Sequence, residues 1–283
     1  MLRRHLPACT APISMLCAIM LLPSVAAGQD LKVVGSDAFT SAIGTIDRTT
    51  AEWTLIGPAG QIITGLAYDP NHDVLYGVSP STDSLYTIDQ STGEATLVGK
   101  PGELGYENVN GLAYDPNNDI LYATDNNTNT LFQIDTKTGI GTEIAVITGG
   151  FTEIEGLAYE PSHDVLYGIT QLQLRVVSID VHTGEATGLF DPLPEETWRG
   201  LTWDSVTGYL FLSAVNIFSD ASIYSFNPDD GRLEFVGHTT GIEAVQGLAV
   251  MPKPTPPCPA DLNGDGVVDV LDLLELLAAW GPC

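Results

Sequence analysis

From residue 31 to residue 252 the chain alternates short apolar runs with clusters of Gly, Asn, Asp, Ser and Pro. One stretch sets the pattern. Ile63-Thr64-Gly65-Leu66-Ala67-Tyr68 is strand-like, and Asp69-Pro70-Asn71-His72-Asp73 is a turn. Val74 to Val78 is a second strand, followed by a polar loop from Ser79 to Ser84. Leu85-Tyr86-Thr87-Ile88-Asp89 is a third strand, Gln90-Ser91-Thr92-Gly93 a tight turn, and Glu94 to Val98 a fourth strand. β-Branched and aromatic residues fill the strands because they pack well on a pleated surface. Residues that tolerate tight backbone fill the turns. No long apolar stretch with a helical period interrupts this region.

The four-strand unit recurs. Gly-Leu-Ala-Tyr-Asp-Pro stands at Gly65 to Pro70 and at Gly111 to Pro116, and Gly156 to Pro161 differs only in Glu160. Gly200-Leu201-Thr202-Trp203-Asp204 and Gly247-Leu248-Ala249-Val250 are looser copies. These glycines step by 46, 45, 44 and 47 residues. A steady period of ~40–50 residues marks a stacked or radial repeat. The two ends carry complementary fragments. Leu31 to Gly57 holds a second, third and fourth strand without a first, and Val245 to Val250 is a first strand with nothing after it. Joined, they complete a blade and leave no open radial edge. The expected fold is all-β: a five-bladed β-propeller over 29–252, closed by pairing of its N- and C-terminal strands. The repeated phrase and the Leu-Tyr and Ile-Asp units resemble NHL and YVTN-type propellers. That resemblance implies the architecture and leaves the function open, because such folds host binding proteins, lyases and hydrolases.

Residues 1–28 read as a signal peptide. Arg3 and Arg4 precede the apolar run Met15 to Leu22, and Val25-Ala26-Ala27 offers small residues for cleavage. The run is short for a bilayer span, so no transmembrane span is expected in the mature chain. The expected location is outside the cytoplasm: extracellular, at the cell surface or in a periplasm. The chain has 10 Lys+Arg against 36 Asp+Glu, a net −26. That balance argues against nucleic acid and anionic membranes as partners.

Pro-rich residues 253–260 read as a linker. Residues 261–283 then bring in different chemistry. Counted from Asp261, side-chain oxygens fall at loop positions 1, 3, 5, 9 and 12: Asp261, Asn263, Asp265, Asp269 and Asp272. Gly266 stands at position 6, where such a loop turns sharply, and Val267 at position 7 offers its backbone carbonyl. Alternating hard oxygen donors around a cation are the calcium-loop pattern, and Ca2+ is the expected cofactor. Position 12 is Asp rather than Glu, and no helix precedes the loop. Both features resemble the dockerin type I repeat, here in a single-repeat form of the GC type ending Trp280-Gly281-Pro282-Cys283. The resemblance implies that the tail anchors or sorts the protein. Cohesin binding belongs to paired repeats, and this tail holds one. Cys258 and Cys283 are candidates for a disulfide in an oxidising compartment, with a covalent or lipid attachment at Cys283 as the alternative. The segment Leu271 to Trp280 is apolar on nearly every face. It is expected to bury itself as a helix against a protein or envelope partner, or against the propeller itself.

The least repetitive loops lead into each first strand. They hold Glu103 and Glu107, Glu153, Glu195 and Glu196, and Glu243. Just before the repeat glycines stand Thr64, Asn110, Glu155, Arg199 and Gln246. In a closed ring these five surround one mouth of the channel. Asn110, Glu155, Arg199 and Gln246 are therefore the candidate ligand residues, the alternative being a structural polar ring. His72 and His163 share a turn position with Asn118 and read as turn chemistry. No catalytic residue is assigned. Two functions are carried forward: a non-enzymatic binding or display protein held by its tail, and an extracellular carbohydrate-active enzyme, a polysaccharide hydrolase or lyase. A glycan is a candidate ligand of the propeller in either case.

Overall fold

The computed structural model describes residues 31–215 and 220–252. The leader, the linker and the calcium-loop tail, with Asp261, Asn263, Asp265, Val267, Asp269, Asp272, Cys258 and Cys283, lie outside the described residues. Every regular element among the described residues is a strand. The strands form five antiparallel four-stranded sheets, the five expected blades. Blade 1 is the closing blade. Its innermost strand Val245–Pro252 pairs with Leu31–Asp37, which pairs with Ala42–Ile46 and then Trp53–Pro58. Blades 2 to 5 begin at the innermost strands Gly65–Asp69, Val109–Asp115, Ile154–Glu160 and Thr197–Asp204.

The repeated Leu-Tyr dipeptide shows why the sheets stack. Neighbouring residues of a strand face opposite sides of the sheet. Leu75 enters the core between blades 1 and 2, and Tyr76 the core between blades 2 and 3. Leu121 and Tyr122 repeat this one blade on, as do Leu166 and Tyr167. Each blade is therefore apolar on both faces, and five separate cores fill the five blade interfaces. That is why the inner strands are largely buried, and all seven residues of Ile154–Glu160 are buried. The outermost strands lie open, as in Leu233–His238.

The innermost strands run from an upper mouth of the central channel to a lower one. Turns at the lower face repeat an Asp cap. Asp47 Oδ1 accepts the N–H groups of Thr49 and Thr50 at 2.8 and 3.0 Å. Asp89, Asp135 and Asp180 do the same in blades 2, 3 and 4. Asn227 takes the place in blade 5, accepting from the Asp229 N–H at 2.9 Å. The Thr49 hydroxyl and the Ser91 hydroxyl, with the turn N–H groups, hold Asp47 and Asp89 down at about 2. The backbone N–H groups of Lys137 and His182 likewise lower Asp135 and Asp180. A carboxyl depressed by folding contributes stability above its unfolded pKa of ~3.9, and loses it as the pH falls through the folded value. The midpoint of thermal unfolding is therefore expected to drop between about pH 4 and pH 2. Replacing the four aspartates by Asn flattens that drop, as calorimetry at the two pH values would detect; an unchanged slope would remove the caps as its cause.

Candidate polar site at the upper mouth

Four innermost strands enter their sheets through a break in register. Pairing skips Asn110 between Val109 and Gly111, and Glu155 between Ile154 and Gly156. It skips Arg199 and Gly200 between Trp198 and Leu201, and Gln246 between Val245 and Gly247. A bulge leaves its extra residue outside the ladder and re-aims the side chain. Asn110, Glu155, Arg199 and Gln246 all line one polar basin of about 450 Å3 at the upper mouth. The sequence places these four together and so does the structure. Thr64, the fifth residue of the series, is buried instead and donates its hydroxyl to the Val109 carbonyl at 3.0 Å. Its strand begins without a bulge, so the side chain ties blade 2 to blade 3.

The repeat glycines keep this mouth narrow. A Cβ on Gly156 would lie 2.5 Å from the Arg199 carbonyl, and one on Gly200 2.6 Å from the Gln246 carbonyl. Each glycine thus lets the next blade's backbone come close, and brings the next bulge with it.

Asn108, Asn126, Asn127, Glu153 and Gln171 complete the lining. Asn126, Asn127 and Gln171 come from the hairpins after the second strands of blades 3 and 4. The glycine-centred reading of the sequence passes over them. Their signal is positional: Asn126 and Gln171 each follow directly on the second strand, Ile120–Asp125 or Val165–Thr170. The variable-loop acids Glu103, Glu107, Glu195, Glu196 and Glu243 are not among the lining residues.

Arg199 Nη1 meets Glu155 Oε2 at 2.8 Å, and Asn126 Nδ2 donates to Glu155 Oε1 at 3.1 Å. Burial raises the Glu155 pKa above the ordinary carboxylate value, and the Arg199 charge offsets only part of that rise. Asn110 Nδ2 donates to Asn108 Oδ1 at 3.3 Å. Gln171 Nε2 donates to the Glu196 carbonyl at 3.3 Å, while its Oε1 is buried with no donor. Glu153 holds a left-handed backbone, φ 52°, where its carbonyl accepts the Gln171 N–H at 3.1 Å.

The lower mouth differs. The channel there has a volume of about 180 Å3, lined by Leu66, Leu112, Leu157 and Leu248 and by the Tyr68, Tyr114, Tyr159 and Trp203 of the repeated phrase. Below them the phrase's acid caps its own turn. Asp69 Oδ1 accepts the N–H groups of Asn71 and His72, and Oδ2 faces His72 Nδ1 at 2.8 Å. Asn118 and His163 make the matching contacts to Asp115 and Glu160, also at 2.8 Å. The two histidines are turn residues, as expected. Asp204 has no such partner in its own turn; Arg48 of blade 1 reaches it instead. Asp69, His72 and Asp119 offer three ligand atoms within 4.8 Å of one another. Both Asp69 oxygens are already held by the turn. Among the described residues one Ser–His pair occurs, Ser222 Oγ to His238 Nδ1 at 3.1 Å. It is a direct cross-strand pair with the Phe235 ring against the imidazole, outside the basin.

A family described as a repeat of unknown function, DUF6923, matches residues 41–224, from blade 1 into blade 5. No curated protein matches the chain. Among solved structures, a chain from the crystal structure of a nidogen/laminin complex is similar in fold. Its TM-score is 0.56 at 15% identity, over 78% of this chain and 98% of that one. At that identity the likeness is one of fold. No helix among the described residues is long and apolar enough to cross a membrane.

Proposed function

The chain belongs to the DUF6923 family of repeats of unknown function, and from that premise we propose that it is an exported, non-enzymatic binding and display protein. The upper mouth is its binding face, and the calcium-loop tail holds it to a protein or envelope partner. The observation that carries this reading is the convergence of four bulged residues from four blades on one polar basin. Bulges weaken a sheet locally, so four of them aimed at one point suit a site better than a scaffold. The tail's part rests on the loop Asp261, Asn263, Asp265, Val267, Asp269 and Asp272. A solved neighbour that belongs to a protein–protein complex agrees with a protein partner.

The carbohydrate-active alternative needs two carboxyls about 5 Å apart, or about 6.5–9.5 Å apart, across a sugar ring. The basin's two acids, Glu153 and Glu155, come from one blade, and Glu155 is paired with Arg199. Asp69 and Asp119 approach from different blades, but Asp69 is 1% exposed and held by its turn. Binding is therefore the better supported reading.

The test is capture by the full chain from the secreted and envelope fractions of its source. A partner retained in calcium should be lost in chelator and with Asp265→Ala. Retention by Asp265→Ala at wild-type level would refute the tail's role.

A further inference from the structure

The upper face has an unbalanced charge, and the imbalance centres on the basin. Among the described residues three cations stand on that face, and each is already committed. Arg199 pairs with Glu155, Lys100 with Glu103 at 3.1 Å, and Arg175 donates to the Phe190 carbonyl. The Glu153 carboxylate makes no ion pair among the described residues. Gln171 lines the same basin, and its buried Oε1 has no donor. A buried acceptor without a donor is destabilising, so the basin lacks a donor rather than an acceptor. Exposed Glu107, Glu195 and Glu243 stand in the loops of three different blades at the same face. Apolar side chains share this face. Phe39 is 63% exposed, Leu172 61% and Ile62 40%. A neutral sugar would satisfy Gln171 but leave Glu153 and the acidic rim uncompensated. A cation on an apolar-flanked chain satisfies all three.

We propose that the upper mouth receives a cationic side chain of a basic partner protein, its ammonium or guanidinium held by the Glu153 carboxylate and Gln171 Oε1. The proposal rests on the upper mouth being the binding face, and it names the partner's chemistry. The rim acids draw the partner in at long range, and Leu172, Phe39 and Ile62 meet apolar side chains beside the inserted cation. Attraction of this kind weakens as salt shortens the screening length.

The experiment is titration calorimetry of the full chain with a ten-residue lysine peptide, in chelator so that the tail's calcium does not contribute. Glu153→Gln should weaken binding about tenfold, the loss that accompanies one charge-assisted hydrogen bond. Asn110→Trp, which fills the basin, should weaken it as much. Glu94→Gln removes an exposed acid at the lower face and should change binding by less than about twofold. Absence of peptide binding overturns the proposal. Equal losses from Glu153→Gln and Glu94→Gln would mean bulk attraction to a chain of net charge −26, and overturn it too. A neutral oligosaccharide that binds, is blocked by Asn110→Trp and ignores Glu153→Gln overturns the cation and leaves the binding face standing. A partner captured in chelator equally by wild type and Asn110→Trp removes the binding face itself.

Discussion

A chain ending at Ala244 should show no cooperative thermal transition and no native near-UV circular dichroism. The eight residues Val245–Pro252 form the innermost strand of blade 1, and they pair with Leu31–Asp37 along its whole length. They also belong to two cores. Ala249 and Met251 enter the one shared with blade 2, and Val245 and Leu248 the one shared with blade 5. The strand is further tied by the Gly247 N–H to Ser36 Oγ at 2.9 Å and by the Val250 N–H to Thr202 Oγ1 at 3.1 Å. Burying Val245, Leu248 and Met251 contributes on the order of 5 kcal/mol at ~1.5–3 each. That matches the ~5–15 kcal/mol by which a domain is stable at all. Deletion also leaves Leu31–Asp37 as an unpaired inner edge and uncovers the facing sides of blades 2 and 5. Leu31 and Pro252 are paired neighbours, so the same strand can be supplied from the other end. Residues 245–252 fused ahead of Leu31 through a short Gly-containing turn should restore the transition. A truncated chain with the wild-type spectrum and midpoint would refute closure by terminal pairing.

The fold was legible because its repeat is written in single residues. Gly65, Gly111, Gly156, Gly200 and Gly247 are where adjacent innermost strands crowd, and a larger residue has no room there. Leu-Tyr pairs recur because each blade must be apolar on both faces. The closing blade was legible because its halves are complementary. The mouth was legible only in part. Residues ahead of a glycine at fixed period must share one end of the ring, which finds Asn110, Glu155, Arg199 and Gln246. A bulge has no signature in this sequence: Thr64 occupies the same position as Asn110 and is buried. Asn126, Asn127 and Gln171 escaped because they lie in hairpins whose residues do not repeat. The phrase's acid reads as a turn former. Its burial as a cap has no signal in the sequence, nor has Arg48 serving Asp204, a contact 156 residues apart in sequence. The tail's loop pattern belongs to residues outside those described.

Arg199→Ala should cost about 3 kcal/mol at neutral pH, the low end for stranding one member of a buried ion pair. The low end applies because the Arg199 side chain is 27% exposed, against 10% for Glu155. The cost should depend on pH in a defined direction. Burial already raises the Glu155 pKa with Arg199 in place, and removing the guanidinium takes away the charge that opposes the rise. A carboxyl whose folded pKa is raised favours its neutral form in the fold. Its stabilising contribution is complete below the unfolded pKa of ~4.3 and is lost as the pH rises through the folded value. The variant should therefore approach wild type near pH 4.5 and fall behind it towards pH 8, as urea denaturation at the two values would measure. The Asp caps do not confuse the comparison, because they titrate below this window. Glu155→Gln in the Arg199→Ala background removes the stranded charge and should recover most of the loss. A deficit that is equal at both pH values, or that survives the second substitution, would mean that Arg199 acts by packing alone. The pair would then have no electrostatic part in shaping the basin. If the recovery is seen, the mouth holds one internally balanced pair, and Glu153 is left as the basin's uncompensated charge.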